Sequence, residues 1–338
     1  MQRDYKPLQS LVNRTDITNL KKQYPIDDFS MLVRSTFAVV LVVCSLPIFV
    51  IAILLSISLG WQYVLGCGLL IIASILICVF SYFKYQNSKW TQYVRLYRFA
   101  QVNNLVYRPS LDNPNHNGII FNIGKCRIVI NQLISNSNKI FEIANYTYTV
   151  GSGKSEHIEK KGYFMIQLDR NLPHMVLDSK SNNTNLFGIS LSNLPVSFKN
   201  NQKLSLEGDF DKYFTLYAPK EYKRDALYVF TPDLMSLFID ESNSFDAEIV
   251  DNKLYIYSKI PFNMLDESIL KRIFKIIDIV GTKIISQTKQ YADERVENRV
   301  VNVVSEPGRR LKRQVSWLAI AVLIAIFVYY AIKVFINF

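Results

Sequence analysis

Three long apolar runs interrupt an otherwise mixed chain. Ser35 to Leu59 and Trp61 to Phe83 carry no charged side chain, and a third run, Val315 to Ile332, ends at Lys333. A hydrocarbon core of ~30 Å is spanned by about 20 apolar helical residues. The three runs therefore predict three transmembrane helices, the first two joined tightly through Gly60-Trp61-Gln62-Tyr63. Trp61, Tyr63, Trp317, Tyr329 and Tyr330 fall where interfacial aromatic side chains belong.

Between the second and third runs the pattern changes to alternation. Strands are predicted at Ile119 to Asn122, Cys126 to Ile130, Ile140 to Thr149, Tyr163 to Leu168 and Met175 to Asp178. More follow at Val196 to Phe198, Lys203 to Glu207, Tyr213 to Tyr217, Ala226 to Phe230, Ala247 to Val250 and Leu254 to Tyr257. Helical periodicity appears at Lys89 to Val106, broken by Arg108-Pro109-Ser110. It returns after Thr231-Pro232-Asp233, an N-cap residue followed by proline and an acid. A long helix is expected from Asp266 toward Ala292, with Ile269, Leu270, Ile273, Phe274, Ile276, Ile277, Val280 and Ile284 on the face that packs on a sheet.

The expected architecture is α+β. Residues 1–34 form a cytoplasmic N-terminal segment and 35–83 a two-helix transmembrane hairpin. Residues 84–304 make a mostly antiparallel-sheet cytoplasmic domain with a long packing helix; 305–314 is a basic linker and 315–338 a C-terminal transmembrane anchor.

Charge sets the expected orientation. The net charge is +11. Lys84, Lys89, Arg95 and Arg98 follow the second run, and Arg309, Arg310, Lys312 and Arg313 precede the third. With these eight set aside, the basic and acidic residues of the middle domain balance, so the excess charge tracks the bilayer and not a nucleic-acid surface. The positive-inside rule then puts the N-terminus and the middle domain in the cytoplasm and the C-terminus outside an inner membrane. The expected partners are anionic lipid and a protein at the cytoplasmic face, with no nucleic acid. The four cysteines form no CxxC pair or disulfide framework.

Catalytic signals are sparse, and no cofactor is expected. Gly151-Ser152-Gly153-Lys154-Ser155 matches the end of a phosphate-binding loop, but Tyr148 stands where the first glycine is needed, and no helical stripe follows. It reads as the loop of a β-hairpin. Asp209 and Asp211, two apart, would share one face of a strand and could hold a divalent cation; the alternative is a pair of loop acids beside Lys212. His116, His157 and His174 show no metal spacing, and His174 with Asp178 is the one pairing close in sequence.

Phe214-Thr215-Leu216-Tyr217-Ala218 followed by Asp225 to Met235, with Thr231-Pro232 inside it, resembles a family of uncharacterised bacterial membrane proteins. That family carries an F-x-V-Y strand and then A-x-Y-x-L-T-P-x-x-M. The resemblance implies a bacterial membrane location and supplies no reaction.

The leading expectation is an integral membrane protein whose cytoplasmic domain binds a protein or membrane-associated ligand without catalysis. One alternative is a membrane-bound enzyme using acidic residues and a divalent cation. Another is a subunit of a larger transport or envelope complex.

Overall fold

The computed structural model describes residues 3–24, 50, 62–137, 139–186, 189–206, 208–298 and 301–314, without the side chains of 62–71, 78 and 185–191. The first and third apolar runs lie outside the described residues. The chain clusters into two compact units, Gln2–Phe99 and Ala100–Phe338.

The first unit is built on one long helix. Helix α1 (Arg14–Gln23) opens where the Asn13 N–H donates to the Asp16 carboxylate at 2.8 Å, and α2 (Gln62–Val102) runs 41 residues. The second half of α2 buries Trp90, Tyr93, Val94, Leu96 and Phe99, and the N-terminal segment buries Leu8 and Leu20. Polar clamps reinforce this packing. Arg95 Nε donates to the Ser10 carbonyl at 3.0 Å, and Arg98 donates to the Leu11 carbonyl at 2.7 Å while pairing with Asp16 at 2.8 Å. Among the described residues, no helix is long and apolar enough to cross a membrane.

The second unit is α+β. Its main sheet has seven strands among the described residues, all antiparallel to their neighbours. Strands β1 (Leu105–Asp112), β2 (Lys125–Ser135) and β3 (Phe141–Val150) lead by hairpins to β4 (His157–Ser179), which is 23 residues long. The small pairs β5 (Thr184–Leu186) with β6 (Ile189–Leu191), and β7 (Ser197–Phe198) with the late β11 (Arg313–Gln314), stand apart from this sheet. Strand β8 (Lys203–Leu204), a single helical turn α3 (Phe210–Tyr213) and β9 (Phe214–Tyr217) follow. Then come α4 (Lys223–Val229), α5 (Pro232–Ser242), β10 (Asp246–Ser258), α6 (Glu267–Thr288) and α7 (Glu306–Arg309).

Strand β4 is the axis of the fold. Residues 157–166 pair with β3 and 176–179 with β9 along one edge, while β10 pairs along the other from Gly162 to Leu177. Alternation then gives the sheet two different faces. Phe141, Ile143, Phe164 and Ile166 point to the helical side, where the Phe141 ring meets Phe274 of α6 at 5.8 Å. Gly281 lets α6 approach, because a Cβ there would fall 2.8 Å from Ile166 Cδ1. Helix α6 is capped by Asp266, whose carboxylate accepts the Ser268 and Ile269 N–H groups at 2.8 and 3.4 Å.

The other face carries Ala144, Tyr146, Tyr148, Tyr163, Met165, Val176, Tyr255 and Tyr257, all buried. The segment 113–124 between β1 and β2 folds over it and plugs it with Ile119, Ile120 and Phe121. The Phe121 ring lies 4.7 Å from Tyr146, 4.9 Å from Tyr163 and 5.5 Å from Tyr255.

Several sequence expectations need correction. Ile119 to Asn122 is a turn and not a strand, with the Phe121 N–H donating to the Gly118 carbonyl at 3.1 Å. Ala226 to Phe230 lies in and just beyond helix α4, which buries Ala226 and Val229 one turn apart. Arg108-Pro109 breaks no helix: it lies inside β1, at the edge of the sheet, where a residue without an N–H is tolerated. The pairs 163–168 with 175–178, and 247–250 with 254–257, are each one continuous strand. The Gly151-Ser152-Gly153 stretch is the β3–β4 hairpin loop, in keeping with the sequence pattern, with Gly151 and Gly153 both at positive φ and Val150 opposite His157.

Candidate functional site

The sheet face under the 113–124 plug holds a row of ionisable side chains, supplied by β3, β4 and β10 at alternating, inward-pointing positions. At one end is Glu142. Its carboxylate accepts a hydrogen bond from the Tyr163 hydroxyl and lies 3.2 Å from His116 Nε2. Burial works against the Glu142 charge, but hydrogen bonds from His116 and Tyr163 outweigh it and hold its pKa below the usual carboxylate range. The same contacts, added to burial, push Tyr163 well above the ordinary phenol value. His116 Nδ1 and the Tyr146 hydroxyl are buried without a hydrogen-bond partner.

Next along the face is Glu248, which is buried and accepts three donors. They are His174 Nε2–H at 2.8 Å, the Tyr257 hydroxyl at 2.5 Å and the Ile119 N–H at 2.8 Å. His174 Nδ1 accepts the Leu311 N–H at 2.9 Å. A ring nitrogen that accepts an N–H carries no proton, so His174 is the neutral Nε2–H tautomer and has no free lone pair for base chemistry. Asn117 extends the row: it accepts from the Tyr255 hydroxyl at 2.9 Å and donates to Asp251 at 2.5 Å, and Asp251 in turn holds Arg310 at 2.8 and 3.0 Å.

The last group is different. Asp178 on β4 and Asp246 on β10 stand across from each other beside the Leu177–Ala247 pair, and both are buried. Asp178 accepts the Ser192 hydroxyl at 2.9 Å; Asp246 accepts the Ser179 N–H at 2.9 Å and the Asn182 amide at 3.1 Å. Burial and the neighbouring Asp246 charge push Asp178 up to about 7. Burial likewise raises Asp246 to about 6 against its hydrogen bonds. Lys161, buried beside them, donates to the Asn193 carbonyl at 3.4 Å and has its pKa lowered by burial. This pair takes up or gives off a proton near neutrality.

A second polar network closes the end of the domain. Arg295 stacks 3.9 Å over the Tyr222 ring and pairs with Asp225 at 3.0 Å and Asp293 at 3.2 Å. Tyr222 donates to Asp293 at 2.6 Å and Tyr291 to Asp225 at 2.7 Å. Its groups are saturated by one another, which is the arrangement of a brace.

The residues singled out from sequence fall elsewhere. Asp209 and Asp211 are not on a strand: Asp209 precedes the α3 turn and pairs with Lys212 at 2.7 Å. Asp211 accepts the Ser205 hydroxyl and the Leu206 N–H. Among the described residues, no group of three or more His, Cys, Asp or Glu side chains is placed to hold a metal ion. His174 pairs with Glu248 and not with Asp178, and His116 is packed against Glu142; only His157 is at the surface, beside Glu159 at 3.2 Å. Of the eight basic residues, Arg95, Arg98 and Arg310 make the contacts given above. Arg309 donates to the Val304 carbonyl at 2.9 Å, Lys312 is held through its backbone by Gln202 at 2.8 Å, and Arg313 lies in β11. Lys84 is exposed, and Lys89 lies 5.3 Å from the Tyr93 ring centre.

One surface feature stands out against these closed networks. Along α2, Ile72, Ile75, Leu76, Ile77, Val79, Phe80 and Phe83 are all exposed, from 46% at Val79 to 69% at Phe80. At 100° per residue they cover roughly 200° of the helix circumference, about twice the stripe a packed helix buries. The run ends at Lys84, and α2 then turns its side chains inward at Gln86 and Trp90.

No protein-family model matches the chain, and no curated protein matches it. The resemblance of Phe214 to Met235 to a bacterial membrane family therefore gains no support. A solved structure, the mycobacterial trehalose monomycolate transport factor A, TtfA, is similar at a TM-score of 0.36 and 10% identity. The similarity covers 57% of this chain and 89% of that one. At that score it sets neither the fold nor the function of this chain.

Proposed function

We propose that this is a membrane-anchored, non-catalytic protein whose α+β domain binds a protein or membrane-associated ligand. One observation carries the anchoring: the apolar cylinder Ile72 to Phe83 of α2, exposed over more than half its circumference. Seven such side chains present on the order of 600 Å² of apolar surface, more than a water-soluble monomer commonly leaves open. Lipid is the occupant that fits a surface apolar from several sides, and the sequence continues the same apolar run upstream to Trp61. By the positive-inside rule, the flanking cations support a cytoplasmic position for the α+β domain in this reading.

The non-catalytic part is supported by how the ionisable groups are used. Glu142, Glu248, Asp251 and His174 each accept or donate within the fold. Tethering such a domain raises its effective concentration toward partners at the membrane.

Density-gradient flotation tests the anchor. The full chain should rise with phosphatidylcholine vesicles; a chain that stays in the dense fraction without detergent contradicts it. Turnover of a substrate by the purified protein, abolished by Asp178→Asn or His174→Gln, would overturn the non-catalytic reading.

A further inference from the structure

The pairing of β11 with β7 sets two cations against each other. Arg313 lies opposite Phe198, and the Lys199 N–H donates to the Lys312 carbonyl at 3.2 Å, so Lys199 and Lys312 face one another across the two strands. The buried Gln202 side chain fixes the second of them. Its Nε2 donates to the Lys312 carbonyl at 2.7 Å, and its Oε1 accepts the Lys312 N–H at 2.8 Å. Lys203 follows Gln202 and opens β8, and Arg313 follows Lys312 in β11. All four cationic residues are exposed.

No acid answers them. The stretches Ser197 to Leu206 and Leu311 to Gln314 contain no Asp or Glu, and none of the four side chains makes an ion pair among the described residues. Asp178 feels the Lys203 charge, but it is buried and bonded to Ser192. Elsewhere in the domain cations are matched, Lys125 by Glu156, Lys275 by Glu241 and Lys283 by Asp233. Like charges opposite each other on neighbouring strands are destabilising. A corner that holds them so, with one backbone clamped at both its N–H and its carbonyl, is suited to an anion from outside the protein. Chain continuity indicates which anion. Val315, where the third apolar run begins, is three residues past Lys312, at most ~11 Å along the chain. A lysine stem can carry its charge back toward the surface, and charges act over a Debye length of ~8–10 Å.

We propose that the corner formed by Lys199, Lys203, Lys312 and Arg313 docks the α+β domain on the anionic surface of the bilayer. The inference rests on the membrane anchoring proposed above, with the third apolar run entering the same bilayer, and it adds which face of the domain meets lipid. Lys199 and Lys203 are its distinctive members. Both are remote from every apolar run in sequence, and only the fold brings them beside Lys312.

The test uses the full-length chain, cleared of its native cysteines and carrying a fluorophore at Asn201→Cys, an exposed position between Lys199 and Lys203. It is reconstituted in vesicles of phosphatidylcholine, or of phosphatidylcholine mixed with phosphatidylglycerol, each containing a lipid with a nitroxide quencher on its headgroup. Quenching should be stronger in the mixture and fall at high salt. Lys199→Gln and Lys203→Gln should each lower the ratio of docked to free domain about fivefold. A fluorophore at Lys271→Cys, on α6, should report no difference between the two lipids. Two results overturn the proposal: equal quenching at position 201 in both lipids, or both variants quenched like the parent chain. Flotation on phosphatidylcholine vesicles separates the two ideas. A chain that floats but shows no added quenching with phosphatidylglycerol sinks the docking corner and spares the anchor, whereas a chain that never floats sinks the anchor and the docking with it.

Discussion

Replacing Asp178 by asparagine should make the protein more stable at pH 8 and remove much of its stability change between pH 5 and 8. Asp178 and Asp246 face each other in a buried, low-dielectric position, and burial first and mutual repulsion second raise Asp178 from 3.8 to about 7. The folded state therefore binds more protons than the unfolded chain between about pH 4 and pH 7. Stability is highest at the acid end of that window and falls as pH rises through it. Each tenfold gain in proton affinity on folding corresponds to about 1.4 kcal/mol, so the charged Asp178 costs roughly 4 kcal/mol above pH 7 as an upper bound. Part of that cost is shared with Asp246, which titrates with it. Asparagine keeps the shape and can still accept the Ser192 hydroxyl, so Asp178→Asn should gain roughly 2–4 kcal/mol at pH 8 and little at pH 5. Chemical unfolding of the full chain in neutral detergent, followed by near-ultraviolet circular dichroism at pH 5, 6.5 and 8, measures both. Wild-type stability that rises across this range, or a variant equally destabilised at every pH, would refute the reasoning.

Other consequences follow from single contacts. Gly118→Ala would drive a methyl group into the Tyr257 hydroxyl that holds Glu248, and should cost roughly 2–3 kcal/mol in the same unfolding assay. Arg295→Ala should cost about 3 kcal/mol, because it strips the Tyr222 ring and leaves the fully buried Asp293 carboxylate without its cation. Mg²⁺ titrated into wild type and Asp209→Asn should give equally weak heats, since Asp209 is occupied by Lys212 and Asp211 by Ser205 and Leu206; a wild-type-specific binding isotherm would revive a metal site.

What was legible in the sequence was local. The α6 stripe from Leu270 to Ile284, its Asp266 cap, the Thr231-Pro232 start of α5 and the glycine hairpin at 151–153 all rest on contacts within a few residues. The misread elements are those whose conformation is decided from afar. Ala226 to Val229 has strand-like composition, yet burial of Ala226 and Val229 on one helical face overrides it. Ile119 to Phe121 looks like a short strand because it is apolar, but it is apolar in order to fill a box of tyrosines brought from β3, β4 and β10. Asp169-Arg170-Asn171 and Pro173 look like a break between two strands, whereas β4 runs straight through them.

The polar row was invisible for the same reason. Glu142 and His116 are 26 residues apart, and His174 and Glu248 are 74 apart. The signal available was the acid itself: Glu142 between Phe141 and Ile143, and Glu248 between Ala247 and Ile249, sit in apolar strand runs where a charge has to be paired. His174 with Asp178 was the nearest pair in sequence and shares a strand face with it, but the partner it uses lies on the neighbouring strand.

The account turns on whether the exposed half of α2 lies in lipid. In a full-length chain cleared of its four native cysteines, a nitroxide spin label at Phe80→Cys and another at Lys271→Cys can be compared in phosphatidylcholine vesicles for collision with oxygen and with a water-soluble nickel chelate. Anchoring predicts that the label at 80 meets oxygen freely and is shielded from nickel, while the label at 271 shows the reverse. Equal exposure of both positions to nickel would contradict it.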